Sequence, residues 1–315
     1  MSLKVQSTLL VLVFLLAACG VATPPATEAL PSQPPADLSI QLNDGLGRSV
    51  SLPAPASRVV SLTPSGTEIL FSIGAGAQVM GRDSFSDYPA EAAQAADIGG
   101  SMGEYNLEAI LALQPDLVLA GGINPPELVA ALEDLGLAVF FLPNPTTLEE
   151  MYANLETVGV LTGHAPEAAD LGAALASRVA AVDAAILPLS YAPSVYYELD
   201  ATNPALPYTA GAGTFVDQLI ARAGGHNIGS TLEGEWVTIS VEQLLVLDPA
   251  IILLGDAAWG ETPEKAAARP GWEALTAIQN GQVFPFDDNL VSRPGPRLVD
   301  GLEALVELLH PGVLK

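Results

Sequence analysis

One cysteine, three histidines and 11 Lys+Arg are all that this 315-residue chain contains of those types. A lone cysteine rules out an intramolecular disulfide and any multi-cysteine metal site. His164, His226 and His310 stand far apart with no neighbouring ligand pattern, so they read as surface or cap residues and no metal is expected. Against 36 Asp+Glu the few basic residues leave a formal charge of −25, which repels nucleic acid instead of offering it a basic footprint. The bland meaning of that acidity is solubility outside the cytoplasm. Catalytic signatures are missing as well. There is no GxxxxGK[ST] loop and no GxSxG elbow, and the GAG pieces at Gly74 and Gly211 lack the third glycine of a dinucleotide fingerprint. No carboxylate pair can be assigned acid and base roles from spacing. The expectation is a protein with no catalytic residues and no cofactor.

Half of the residues are apolar and 15% are charged, a composition that folds, and the length suits two domains. The cysteine itself is explained by its place. After Lys4 the apolar run LLVLVFLLAA stops at LAAC, Leu16 to Cys19, which describes a short export signal. LAAC resembles the bacterial lipobox, so residues 1–18 are predicted to be removed and Cys19 to carry a lipid. Residues 19–37 are rich in Pro, Ala and Thr without periodicity, a solvated and fairly stiff tether.

Folded structure is predicted from residue 38. LSIQL and SVSL suggest a hairpin, and RVVSL a short strand. In TPSGTEILFSIGAG, Thr63 or Ser65 can cap a helix whose first turn suits Glu68, with Gly74 and Gly76 ending it. NLEAILALQPDLVLAGG, from Asn106, has apolar residues at helical spacing, a closing Pro115 and a buried strand. It recurs 134 residues later as SVEQLLVLDPAIILLGD, pairing Glu108 with Glu242, Pro115 with Pro249 and Gly121 with Gly255. Between the copies, Thr147 to about Leu187 reads as two alanine-rich helical pieces interrupted by Gly159, Gly163 and Pro166, a rigid strut. Alternating strands and helices on either side argue for parallel-type sheets covered on both faces. The predicted architecture is α/β: a lobe at 38–145, a linking helical segment at 146–190 and a second lobe at 191–315, with a ligand cleft between the lobes.

Aromatic residues gather at strand ends and loops: Phe85 and Tyr88 in the first lobe, Tyr208, Trp236, Trp259 and Phe286 in the second. Exposed rings suit a large planar ligand. The alternative is that several cap the cores beneath them. Trp272 reads instead as a helix-start anchor. Arg82, Arg293 and Arg297 are the basic residues expected near the cleft.

RVVSLTPSGTEILFSIGAG, SDYP, GGSMGEYNLEAILALQPDLVLAGG, WVTISVEQLLVLDPAIILL and SRPGPRLVDGLEAL together resemble the helical-backbone class of ABC-importer substrate-binding proteins, in its cobalamin-binding branch. The resemblance runs from about Leu38 to Pro311. It implies two Rossmann-like lobes joined by one rigid helix, limited closure, and delivery of cobalamin or a related corrinoid to a permease dimer driven by a cytoplasmic ATPase. It implies no chemistry on the ligand, and a monomer anchored by its lipid on the outer face of the membrane. Carried over by position, the ligand contacts are Ser65, Phe85, Gly100, Ser101 and Met102 in the first lobe, and Tyr208, Trp236 and the region of Asp288 to Arg293 in the second; Trp259 joins them as a loop aromatic. Where a family member can place a tryptophan against the corrin, this chain has Ser101, Met102 and Gly103; a Met thioether adapts to a ring face. The resemblance further implies that Glu108 and Glu242 dock on arginines of the two permease subunits. Ferric siderophore or haem is the alternative cargo within the same family.

Overall fold

The computed structural model describes residues 38–100 and 103–315. Cys19, the signal and the tether lie outside the described residues, as do Ser101 and Met102. Strands β1 (Ile40–Asn43) and β2 (Ser49–Leu52) form the expected antiparallel hairpin. The first sheet holds β3 (Val59–Ser61), β4 (Val79–Arg82), β5 (Ala96–Asp97), β6 (Leu117–Gly121) and β7 (Val139–Leu142) in the order β5-β4-β3-β6-β7, all parallel. Three helices belong to it: α1 (Pro64–Ser72), α2 (Leu107–Ala112) and α3 (Pro126–Asp134). Thr63 caps α1 by accepting from the Gly66 amide at 3.1 Å, with Pro64 in the first turn where its missing N–H costs nothing.

Two helices follow, α4 (Leu148–Thr162) and α5 (Ala165–Ile186). Thr147 caps the first, and Gly163 ends it in the left-handed region at φ 79°. Gly159 does not interrupt the helix as expected. A Cβ there would come within 2.6 Å of the Ala168 Cβ, so this glycine lets α4 and α5 pack closely. At about 1.5 Å per residue, the 22 residues of α5 span roughly 33 Å between the sheets.

The second sheet contains β8 (Ser194–Asp200), β9 (Tyr208–Ala210), β10 (His226–Asn227), β11 (Trp236–Thr238), β12 (Ile251–Leu254) and β13 (Val283–Pro285). Its order is β11-β9-β8-β12-β13, with β10 beside the start of β8. Strands β8, β10, β12 and β13 are parallel, whereas β9 pairs antiparallel with β8 and β11 pairs antiparallel with β9. This antiparallel ribbon is added to the expected parallel-type sheet, because the short β8–β9 connection has no room for a crossover helix. The helices here are α6 (Phe215–Arg222), α7 (Val241–Leu247), α8 (Pro263–Ala267), α9 (Thr276–Gln279), α10 (Asn289–Ser292) and α11 (Leu298–Leu309).

The sequence repeat is a structural repeat in detail. On β6, Leu117 and Leu119 face a core shared with α1, α4 and α5, while Val118 and Ala120 face one shared with α2 and α3. On β12 the residues at the same offset divide alike: Ile251 and Leu253 enter the first core, and Ile252 and Leu254 turn to a third core around Trp272. One continuous apolar core thus runs from the first sheet through α4 and α5 to the second. Shared burial on this scale couples the lobes through the strut. Among the described residues, the only non-glycine residues at positive φ are Gln114 (48°) and Asp248 (38°), each just before the proline of its repeat. The residue ahead of a proline is pushed out of helical geometry, and here it turns the chain from helix into strand.

Candidate functional site

In a parallel sheet the strand ends converge on one edge, and open α/β folds hold ligands there. Both sheets present such an edge to a common cavity of about 520 Å3. From the first lobe, Thr63 and Ser65 follow β3, Asp83 and Phe85 follow β4, Gly122 and Ile123 follow β6, and Asn144 follows β7. From the second, Leu199 lies near the end of β8, Asp288 follows β13, and Phe215 opens α6.

Of the positions expected from the sequence, Ser65, Phe85, Gly100, Trp236, Trp259, Asp288 and Arg293 all line this cavity. Tyr208 does not. It is half exposed and pairs with Asp200 at the start of the β9–β11 ribbon, outside the lining. Three rings are held for contact: Phe85 is 50% exposed, Trp236 45% and Trp259 86%. Trp236 stands edge-on to Phe215, ring centres 6.0 Å apart, which fixes its angle. Trp259 ends a helical turn, Gly255–Trp259, tied down by the Ala201 amide donating to Asp256 at 2.9 Å. Phe286 instead belongs to the core, edge-on to Tyr197, and Trp272 is fully buried at a helical start with the Arg269 guanidinium 4.4 Å above its ring.

The polar groups of the lining are largely engaged already. Asp83 accepts from the Phe85 amide at 2.9 Å and from the Ser86 hydroxyl. Burial pushes its carboxyl above the usual carboxylate range, more than its hydrogen bonds pull it down. Tyr105 donates to the Leu62 carbonyl at 2.9 Å and accepts from Asn124 at 2.7 Å; burial raises its phenol. The fully buried Tyr197 hydroxyl donates to Asp288 at 2.6 Å, leaving the other Asp288 oxygen for the cavity.

The expected basic residues are all neutralised. Arg82 donates to the Asp83 carbonyl at 2.8 Å and reaches Asp97 at 3.4 Å. Arg293 donates to Asp87 at 2.6 Å and reaches Glu68 at 3.5 Å. Arg297 grips Glu68 with two nitrogens and lies 3.9 Å above the Tyr88 ring. Glu68 is thus no first-turn residue of α1: it is buried in the second turn and joins the first lobe to the second. Thr63, Asp83, Tyr105, Asn144 and Phe215 were missed by sequence reasoning, although each sits just after or before a recognised strand or cap.

Glu108 and Glu242 are exposed in the first turns of α2 and α7, capped by Asn106 and Ser240 respectively. A helix leading into a parallel strand runs against it, so both first turns lie at the cleft edge of their lobes.

Residues 59–290 match the family described as periplasmic binding protein. An uncharacterized ABC transporter substrate-binding lipoprotein, YvrC of Bacillus subtilis (strain 168), is 28% identical over 281 residues, covering 88% of this chain and 87% of the relative. A cobalamin-binding protein of Halobacterium salinarum (strain ATCC 29341 / DSM 671 / R1) is 30% identical over 298 residues, 90% of this chain and 79% of the relative. Among solved structures, the periplasmic heme-binding protein RhuT from Roseiflexus sp. RS-1 in apo form superposes with a TM-score of 0.73 at 26% identity, covering 82% of this chain and all (100%) of that one.

Proposed function

The chain belongs to the periplasmic binding protein family, and on that premise we propose that it captures cobalamin or a related corrinoid for an ABC importer. The supporting observation is the character of the cleft. Three exposed rings offer stacking area, while every cation near the cavity is consumed by a carboxylate or carbonyl of the protein itself. A corrin ring edged with amides is satisfied by flat apolar contact and by acceptors such as Asp288, Asn144 and Ser65. Haem, the ligand named for the RhuT neighbour, carries carboxylates that ask for free cations and iron that asks for a His or Tyr ligand. No histidine is among the described lining residues, and the Tyr105 hydroxyl is occupied on both sides. Ferric siderophores with anionic groups meet the same shortage.

The lobes 38–145 and 191–315 act as jaws on the strut 146–190, holding the ligand and releasing it unchanged; the protein is not an enzyme and the corrinoid is its cargo. Cys19 carries the lipid that keeps the monomer on the outer face of the cell membrane. Glu108 and Glu242, one carboxylate per lobe, dock on the two subunits of the permease above its ATPase. Titration of the purified protein with cyanocobalamin, followed by tryptophan fluorescence or calorimetry, is expected to give a dissociation constant on the order of micromolar or tighter. Binding of haem or a ferric siderophore with no response to cyanocobalamin would overturn the choice of ligand and leave the family untouched.

A further inference from the structure

The two first-turn glutamates are not the only part of the repeat left facing outward. In α2 and α7 the residues at the common offset share their burial. Ile110 and Leu244 are the seats against the lobes, at 0% and 1% exposure, and Leu111 and Leu245, one position on, stand 36% and 37% exposed. A leucine three residues after a glutamate lies on the same helical face as it. Each lobe therefore presents an acid and an apolar side chain side by side. A single exposed leucine carries no meaning on a protein surface. The same pair, at matching exposure on two equivalent helices, is a repeated surface.

We infer that Leu111 and Leu245 are the apolar half of a twin docking pad whose acidic half is Glu108 and Glu242. The partner it fits is a two-fold symmetric membrane protein that offers, on each half, a cation beside an apolar depression. This rests on the docking reading of the glutamates and adds to it a contact that salt does not screen. Neither glutamate has an ion-pair partner among the described residues, so both charges are available. The pads differ in one respect. Val246, 84% exposed, extends the second pad where Ala112 stands in the first, so the second lobe buries more on the same partner surface.

The test uses the full-length lipoprotein and its permease–ATPase complex in nanodiscs, with binding measured at low salt and at about 1 M salt, where the screening length falls to roughly 3 Å. The L111Q/L245Q variant is expected to bind the complex about tenfold more weakly at low salt and to lose the remainder at high salt, because only charge attraction is left. The E108Q/E242Q variant is expected to show the complementary pattern, weaker binding that salt barely changes. Unaltered cyanocobalamin affinity in both verifies the fold. If the leucine variant binds like the native protein at both salts while the glutamate variant loses binding, this inference is wrong and docking through the glutamates stands. If the glutamate variant also binds normally, the docking reading fails and takes the inference with it.

Discussion

Glu68 of the first lobe receives both Nε and Nη2 of Arg297 from the second, at 2.9 and 2.5 Å, across 229 residues of sequence. The carboxylate side chain is 2% exposed and the guanidinium 13%, so this is a buried pair joining the two lobes. Burial would lower the pKa of Arg297, but Glu68 outweighs it and holds the cation charged. Removing one partner strands the other charge, which costs about 3–5 kcal/mol, whereas removing both together costs far less. Glu68→Gln and Arg297→Met are each expected to lower unfolding stability by about 3 kcal/mol, and the double variant by less than their sum. Urea unfolding of the four proteins measures this directly, and additive losses would mean the pair is not a coupled unit.

Two carboxylates beside the cleft respond to pH in opposite senses. Burial raises Asp83 above its usual 3.8, so between the unfolded and folded values the native state holds a proton that the unfolded chain has released. Its contribution therefore falls as pH rises from about 4 and stays lost above the folded value. For Asp87, burial works upward but the Arg293 hydrogen bond and charge win, and the pKa is lowered. Its contribution is present above the unfolded value and is lost as pH falls through the folded one. Against the native protein, Asp83→Asn should gain melting temperature as pH rises from about 4 to about 7, and Asp87→Asn should lose it as pH rises from about 2 to about 4. Parallel melting curves for both variants across those ranges would contradict the assignment.

Trp259 and Trp272 are the same residue in opposite situations, 86% and 0% exposed. Trp259→Ala removes stacking area from the cavity without opening the core, so cyanocobalamin affinity should drop about tenfold at unchanged stability. Trp272 fills the core beneath β12 and carries Arg269, which pairs at 2.6 Å with the fully buried Glu198. Trp272→Ala should cost about 3–5 kcal/mol of stability. Denaturation and ligand titration on both variants separate the roles, and a stability loss at Trp259 would place that ring in the core.

The repeat was legible because it is local. Helix spacing, a proline and an alternating strand sit within 17 residues, and each residue's environment follows from period alone. Phe85 could be placed near the cleft as an aromatic at a strand end, whereas Ser65 and Asp288 came from the family resemblance; all three line the cavity, where parallel strands deliver whatever follows them to one edge. Glu68 was not legible. A glutamate early in a helix has an ordinary local explanation, and nothing within its own segment announces an arginine 229 residues away. Tyr208, carried over from the same resemblance, lies on the antiparallel ribbon of the second lobe, outside the cavity lining.

The paired left-handed residues give the repeat a test of its own. Gln114 at φ 48° and Asp248 at φ 38° hold a conformation that costs an L-residue about 1–2 kcal/mol and glycine almost nothing. Gln114 contributes its backbone carbonyl to Arg58 Nε at 3.0 Å, which glycine retains. Gln114→Gly is therefore expected to raise stability by about 1 kcal/mol despite the greater freedom it gives the unfolded chain. Asp248 does more than turn the chain: its carboxylate accepts from the amide and the hydroxyl of Thr276, both at 2.7 Å, fixing the start of α9. Asp248→Gly relieves the same strain but loses both hydrogen bonds, each contributing about 1 kcal/mol, so no gain is expected. Chemical denaturation of the two variants should separate them by sign. Equal gains would mean that the Thr276 contacts contribute nothing and that the two turns are equivalent in energy as well as in shape.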